Sequence, residues 1–532
     1  MGPEGLTRRT FITAAGAVGA GGLIGACGIS LPAPGQATAR RGGAVTNAIQ
    51  AEITNLDPGL SGDQPSLAAF TLMYEGLLSY TADLEIKPGL ALSWQQDGNS
   101  WVFKLRPGVK FHDGTTFTAN AVKVNFDRYL NPPKDQVGIG RLALSVLDRV
   151  DVIDDLTVRL VTKKVDAFFI DRVADSCGGT TSWGYIISPT AIEKYGKDLA
   201  KVAVGTGPFQ FVEWTRDVRF VAARFDGYWG DKAYLDQVTL RVIPEAEARA
   251  IALEAGDVHI ARTLNPESAP RIEKSTGLST SVKTTTRSLF IGLASMKKPF
   301  SDIRVRQALN HAIDKDSIVK NVYSGYAQRM NGPSVPGQVG YVETPGFSFD
   351  PAKAKRLLAE AGYPNGFSTT LVGPKGAYFK DLDLQQAVQQ QLRDIGVTVK
   401  LETVEFAQFL TLLRMPPDKS PLEMYLDATG GGPTVHWIEQ RYGCKFFRPV
   451  GTNTAGTCYP EIDTILDQAQ TSPDESKRLA LLKDAQERVS LQAPSIWALA
   501  TKEIAGVSKK VHDIHHRRTG LVTVDEHTWI EA

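Results

Sequence analysis

The sequence predicts an α/β protein built on more than one core, and three observations carry that prediction. At 532 residues the chain is longer than one ordinary domain of about 100–200 residues, which points to two to four domains. Residues 384–395 read as a helix, Gly396 as a turn and 397–401 as a strand, the alternation expected where helices cover a sheet. Residues 91–126 read as strand, turn, strand, Gly-marked turn and helix start. There Asp97-Gly98-Asn99 is turn chemistry, and Trp101 to Arg106 alternates apolar and polar with period two, so one face is buried. Thr118 is the expected N-cap of the helix that follows.

The chain opens with Thr7-Arg8-Arg9-Thr10-Phe11-Ile12, a twin-arginine export pattern. A weakly apolar run over 11–26 is short for a membrane span. It ends in Ile24-Gly25-Ala26-Cys27, which resembles a bacterial lipobox with Cys27 lipidated; the bland alternative is a plain signal peptide with an incidental Cys. Residues 1–26 are therefore set apart from the fold, and 27–42, rich in Pro and Gly, read as a tether. A lipid on Cys27 would hold the body at a membrane surface, each buried CH2 contributing about 0.8 kcal/mol.

In the body, 44–49 reads as a strand, 67–80 as a helix, and 146–162 as two strands around Asp154-Asp155. A helix is expected at 191–197, another over 246–261, and a strand at 290–293. The run from Phe300 to Lys315 is helical by period, capped by Ser301 or Asp302. Asp350 caps a further helix with Pro351 at its first position, and Gly362 ends it. With 59 basic and 58 acidic residues the charge is balanced, so nucleic acid is not an expected partner.

Ala91, Trp94, Trp101, Phe103, Leu105, Arg106, Gly108, Val109, Phe111, Asp113, Gly114, Ala119 and Val122 fall into a pattern. It resembles the signature of the peptide/nickel family of extracellular solute-binding proteins, the capture subunits of bacterial ABC importers. Asn120 stands where that pattern has Asp. Tyr74-Glu75-Gly76-Leu77, Gly205-Thr206-Gly207-Pro208-Phe209 and Tyr228-Trp229-Gly230 match further family elements, with Phe225 in place of an Asn. So does Leu253 to Ala261, with His259 in place of an Asp, and so do the two capped helices. The resemblance covers about 43–505. It implies a periplasmic-binding-protein-like two-lobed α/β fold with an extra subdomain and a ligand cleft between the lobes. The expected division is lobe I from 43–78, 203–287 and 505–532, the extra subdomain from 79–202, and lobe II from 288–504.

The resemblance also nominates cleft residues. Ser61-Gly62-Asp63 corresponds to a loop that touches ligand. Lys375 and Tyr378 lie where dipeptide binders carry a basic residue and an aromatic near the ligand carboxylate; for Lys375 a solvated surface role is the alternative. The family's Asp, which anchors a peptide α-ammonium by a charge-assisted hydrogen bond, falls near Gly430 or Gly431 here, and its neighbouring Trp is missing. Asp427 is the nearest substitute, with Thr429, Gly431 and Trp437 in the same stretch. Gly430-Gly431-Gly432 reads either as a flexible loop or as backbone N–H groups approaching a ligand. Trp183 either reaches the cleft or packs under its own loop.

Cys444 and Cys458 resemble a disulfide pair of dipeptide-binding members; closing about 15 residues would contribute roughly 3 kcal/mol. Cys177 is then left unpaired. His512, His515 and His516 read as a solvated basic cluster, and His436 as a lone packing or surface histidine, although the family includes nickel carriers. No nucleophile elbow, zincin or phosphate-loop motif is present, so no enzyme, cofactor or metal is expected. The expected function is a monomeric, lipid-anchored receptor on the outer face of the cell membrane that delivers peptides to an ABC permease. The alternatives are a non-peptide solute (an oligosaccharide, a nickel chelate or a blocked peptide) and, from another class, an extracellular hydrolase.

Overall fold

The computed structural model describes residues 39–132, 144, 146–174, 184–375, 377–430, 433–448 and 451–531. The export segment, Cys27, most of the tether, Cys177, Trp183 and Gly431 therefore lie outside the described residues.

The strands in chain order are β1 (Ala44–Ile49), β2 (Leu78–Tyr80), β3 (Ile86–Pro88), β4 (Ala91–Asp97), β5 (Ser100–Leu105), β6 (Leu147–Asp154) and β7 (Thr157–Thr162). They continue with β8 (Phe209–Thr215), β9 (Arg219–Arg224), β10 (Gln237–Val242), β11 (Ile260–Ala261), β12 (Leu278–Leu293) and β13 (Ala327–Arg329). Then come β14 (Ser368–Pro374), β15 (Thr398–Val404), β16 (Met424–Gly430) and β17 (Ser495–Ser508). One large sheet runs β15-β14-β16-β12-β17-β11-β1-β10-β9-β8, with β13 beside β17. At one end β14 is parallel to both β15 and β16; at the other, β1 is parallel to β10 and β11. The antiparallel pair β12–β17 joins the two ends. A separate four-stranded sheet, β4-β5-β7-β6, holds the opening hairpin.

The hairpin forms where the alternation places it. Trp101, Phe103 and Leu105 are buried while Lys104 faces out, and Gly98 takes the positive φ of the turn at 60°. Thr118 is the N-cap of the helix Ala119–Leu130, although its side chain makes no capping bond. Asp302 and Asp350 cap their helices through Arg304 N and Lys353 N, as their sequence positions predict.

Several expectations shift. The helix expected over 67–80 runs Gln64–Met73, and 78–80 is strand β2. The helix expected over 246–261 stops at Glu254, and β11 follows. In both cases a glycine or polar break interrupts an apolar run whose two parts belong to different layers. The strand expected at 290–293 is the last quarter of a 16-residue strand.

Buried apolar side chains gather in distinct clusters. One joins β1, the helix Gln64–Met73 and β8–β10. A second fills the four-stranded sheet and the helix Ala119–Leu130. A third and a fourth cover opposite faces of β12: Leu289, Ile291 and Leu293 on one side, Phe290 with Trp437 and Trp497 on the other. Burial of each such side chain stabilises by about 1.5–3 kcal/mol. That explains why the end of β12 is continuously apolar instead of alternating.

Three of the motifs noted in the sequence meet at one carboxylate. Glu75 accepts hydrogen bonds from Thr206 Oγ1 at 2.8 Å, Tyr228 OH at 2.9 Å and Trp229 Nε1 at 2.8 Å. Gly205 and Gly207 let that loop lie against the end of the helix; a Cβ on Gly205 would stand 2.0 Å from Met73 O. Arg106 of the hairpin stacks on the Trp229 ring at 4.0 Å.

Burial pushes the Glu75 carboxyl up to about 7, against three donors that favour the ionised form. An unfolded glutamate loses its proton near 4.5. Between these values the folded state holds the extra proton, so stability falls as pH rises through the window. Glu75→Gln removes this slope. Urea unfolding from pH 4.5 to 7.5 should show the wild type losing up to about 2 kcal/mol more than the variant, the partial solvent access of Glu75 keeping the loss below the full shift. Parallel pH courses for the two proteins would mean that Glu75 is ionised throughout.

Candidate functional site

The pairing of β12 with β17 is continuous except for register breaks, one of them between Thr284 and Ser288. A break of this kind bends the strand and re-aims its side chains. Here it sits on a cavity of about 220 Å³ lined by Thr285, Arg287, Ser288 and Leu289 of β12 and by Thr501 to Ile504 of β17. Gln50, Gln64, Thr263, Leu264, Thr519 and Gly520 close it from the β1 side of the sheet; Ala377, Tyr378, Phe379 and Ala428 close it from the β14–β16 side. The site thus lies where the two crossing strands pass between the two sets of cores.

Its polar wall is a network. Gln64 Nε2 donates to Thr519 O at 3.0 Å, and Arg262 Nη2 donates to Gln64 Oε1 at 3.1 Å. Thr263 Oγ1 donates to Glu503 Oε1 at 2.7 Å. Thr285 Oγ1 donates to Thr501 O at 3.0 Å and accepts from Arg287 N at 3.2 Å. Arg262 is 1 % exposed, and its Nε and Nη1 have no partner among the described residues. Burial brings its pKa down to about 10. Burial lowers that of Arg287 too, and Glu503 is the carboxylate that opposes both shifts.

Of the residues nominated from sequence, Tyr378 lines the cavity. Its hydroxyl donates to Asp427 Oδ1 at 3.3 Å, and burial raises its pKa. Asp427 is 4 % exposed, and its carboxylate is already engaged. Arg441 Nη1 pairs with Oδ2, and the N–H of Ala428 donates to Oδ1 at 2.8 Å. An incoming ammonium would have to displace Arg441. Trp437 is buried and donates to Pro333 O; its ring carries Arg441 at 4.6 Å, so it holds the cation that closes Asp427. Ser61 bonds Thr54 and Asp63, the residue that caps the helix Gln64–Met73. Neither it nor Gly62 lines the cavity, whereas Gln64 does. Lys375 is exposed, 3.7 Å from an exposed Glu405, and is also outside the lining. Thr429 lies on β16 opposite Ser288.

Cys444 and Cys458 are joined by a disulfide with Cα atoms 4.4 Å apart. His436 Nδ1 accepts from Arg172 at 2.8 Å, and burial with that adjacent cation holds its pKa well below the usual value. His512 stacks on Trp529, His515 pairs with Asp525, and His516 bonds Ser281. Among the described residues no group of His, Cys, Asp and Glu is placed to hold a metal.

The sequence reading missed Gln64, Thr263, Arg287, Glu503 and Thr519. Only Arg287 left a trace: a charged residue at the head of the apolar run Ser288 to Leu293.

Removing Arg441 should expose how much Asp427 depends on it. Arg441→Met leaves a buried carboxylate without its cation, and a loss of about 3–5 kcal/mol in denaturant unfolding is expected. Asp427→Asn combined with Arg441→Met should recover much of it; equal loss in the single and double variants would show that Arg441 acts through packing alone.

The family described as bacterial extracellular solute-binding proteins, family 5 (middle region), matches residues 85–437. A glutathione-binding protein of Pectobacterium atrosepticum is 33 % identical over 472 residues, 87 % of this chain and 90 % of that one. A periplasmic binding protein of Helicobacter pylori associated with an ABC transporter, solved with the peptide STSA, superposes with a TM-score of 0.77 at 27 % identity, covering 93 % of this chain and 99 % of that one. The binding protein AgaA of A. tumefaciens R10, solved with agropinic acid, superposes at 0.76 and 26 % identity over 92 % of this chain and 99 % of that one. The chain therefore belongs to the family 5 bacterial extracellular solute-binding proteins.

Proposed function

We propose that the protein is the capture subunit of an ABC importer that binds short peptides in the cavity between β12 and β17 and hands them to a membrane permease. The observation that carries the reading is the cavity itself. It is a polar-walled site at the strand crossing of a chain 33 % identical to a glutathione-binding protein. Lobe I is assigned to 43–78, 203–287 and 505–532, the extra subdomain to 79–202, and lobe II to 288–504. The separate apolar clusters support three bodies, although Tyr185, Ile187, Ala191 and Leu199 pack with the lobe I cluster and Phe168 with a lobe II cluster. Cleft closure over the ligand follows from two cores linked by two strands. A volume of about 220 Å³ lies below the ~300–1,000 Å³ of drug-sized ligand pockets, which favours a dipeptide or tripeptide over a long oligopeptide. Export through the twin-arginine segment and a lipid on Cys27 would place the receptor at the outer face of the membrane, acting as a monomer without cofactor.

Calorimetric titration of the exported chain with glutathione, Ala-Ala and a nonapeptide tests the reading. One-to-one binding of the short peptides is expected, with unchanged ligand recovered by mass spectrometry. Binding of no peptide, or recovery of cleaved product, would overturn it; the second outcome would favour a hydrolase.

A further inference from the structure

We propose that the cleft anchors its ligand through a carboxylate held by Arg287, a cation that fills the space left by the missing carboxylate of the family pattern. The ligand class rests on the peptide-receptor reading above; the anchor rests on geometry.

Arg287 on β12 stands directly opposite Gly430 on β16. Gly430 is one of the two positions where the family resemblance implies an aspartate. A Cβ on Gly430 would meet Arg287 Cγ at 2.8 Å. The arginine stem therefore occupies the volume that a side chain at 430 would need. The two features are a single exchange: a small residue on one strand admits a long cation from its neighbour.

Arg287 is one of the residues that line the cavity. Its backbone N–H bonds Thr285, but the side chain makes no hydrogen bond or ion pair with any described residue. Arg287 is close enough to lower the pKa of Arg262, and Glu503 is the carboxylate that opposes the shift of both. Glu503 Oε1 is already taken by Thr263. Asp427, the other carboxylate nearby, is neutralised by Arg441. Arg249, Arg262 and Arg287 thus all draw on Glu503, and Arg287 has no carboxylate of its own among the described residues. A partly buried guanidinium without a partner is costly. A carboxylate offers it two parallel N–H···O bonds, the strongest neutralisation available to its planar fork. An α-ammonium placed there would meet a like charge.

The test uses the exported chain and measures dissociation constants by titration for glutathione, its diester, Ala-Ala, Ala-Ala amide, N-acetyl-Ala-Ala and agropinic acid. Esterification or amidation is expected to weaken binding about 10- to 100-fold, the range of a lost charge-assisted bond, while N-acetylation weakens it far less. Arg287→Gln should bind the acid and the ester alike, both weakly. Gly430→Ala, which displaces the arginine without changing charge, should weaken acids more than esters. Equal affinity of the wild type for acids and esters overturns the anchor while leaving a peptide receptor in place, and this comparison stands even if a variant fails to fold. Discrimination kept by a folded Arg287→Gln variant also overturns it. Binding of agropinic acid alone, lost in Arg287→Gln, upholds the anchor and overturns the peptide reading. Binding of none of the six overturns both.

Discussion

The antiparallel pairing of β12 with β17 is the constraint on which the rest of the molecule depends. Leu278 faces Ser508 at one end and Gly292 faces Ser495 at the other, so two long strands run side by side through the centre of the sheet. The parallel strands at either end cannot bond to one another directly; they meet only through this pair. A ladder of backbone bonds is stiff along its length and compliant where register breaks. The break between Thr284 and Ser288 is therefore both the seam between the cores and the wall of the cavity. A side chain that would sit in the pleat of an unbroken ladder is released there to line the site.

Charge is distributed accordingly. Away from the seam several buried ionic groups have partners: Asp427 with Arg441, Asp57 with Arg128, and Glu75 with its three donors. Such closed groups add little net stability, because desolvation offsets most of the attraction, but each fixes one arrangement of the elements it joins. At the seam the pattern changes. Arg262 keeps two nitrogens without partners among the described residues, and Arg287, which also lines the cavity, makes no side-chain hydrogen bond or ion pair there. In a protein whose function is reversible capture, unsatisfied polar groups belong where a ligand can satisfy them.

Local features were legible in the sequence because their causes are local. The hairpin at β4–β5 follows from period-two alternation and a Gly turn, and the helix starts at Asp302 and Asp350 follow from capping chemistry. The Cys444–Cys458 disulfide is the one the family resemblance implies. Two helices end earlier than the sequence predicts, because Leu77, Leu78 and Ile260 belong to cores other than those of the helices before them. The candidate site fared worse. Tyr378 lines the cavity, whereas the Asp427 carboxylate, the nearest substitute the sequence offers, is paired with Arg441, which nothing near it in sequence announces.

The sequence by itself determined the family and the α/β class, and it showed glycines at 430 and 431 where the family resemblance implies a carboxylate, for these reside in residue types and short spacings. Tertiary structure decided what stands beside Gly430. Arg287 and Gly430 are more than a hundred residues apart and become neighbours only through the β12–β16 register, and Glu503 joins them through β17. Sequence separation carries no information about register between distant strands. Which side chain lies beside Gly430 was therefore set by strand pairing, not by the stretch that contains the glycine.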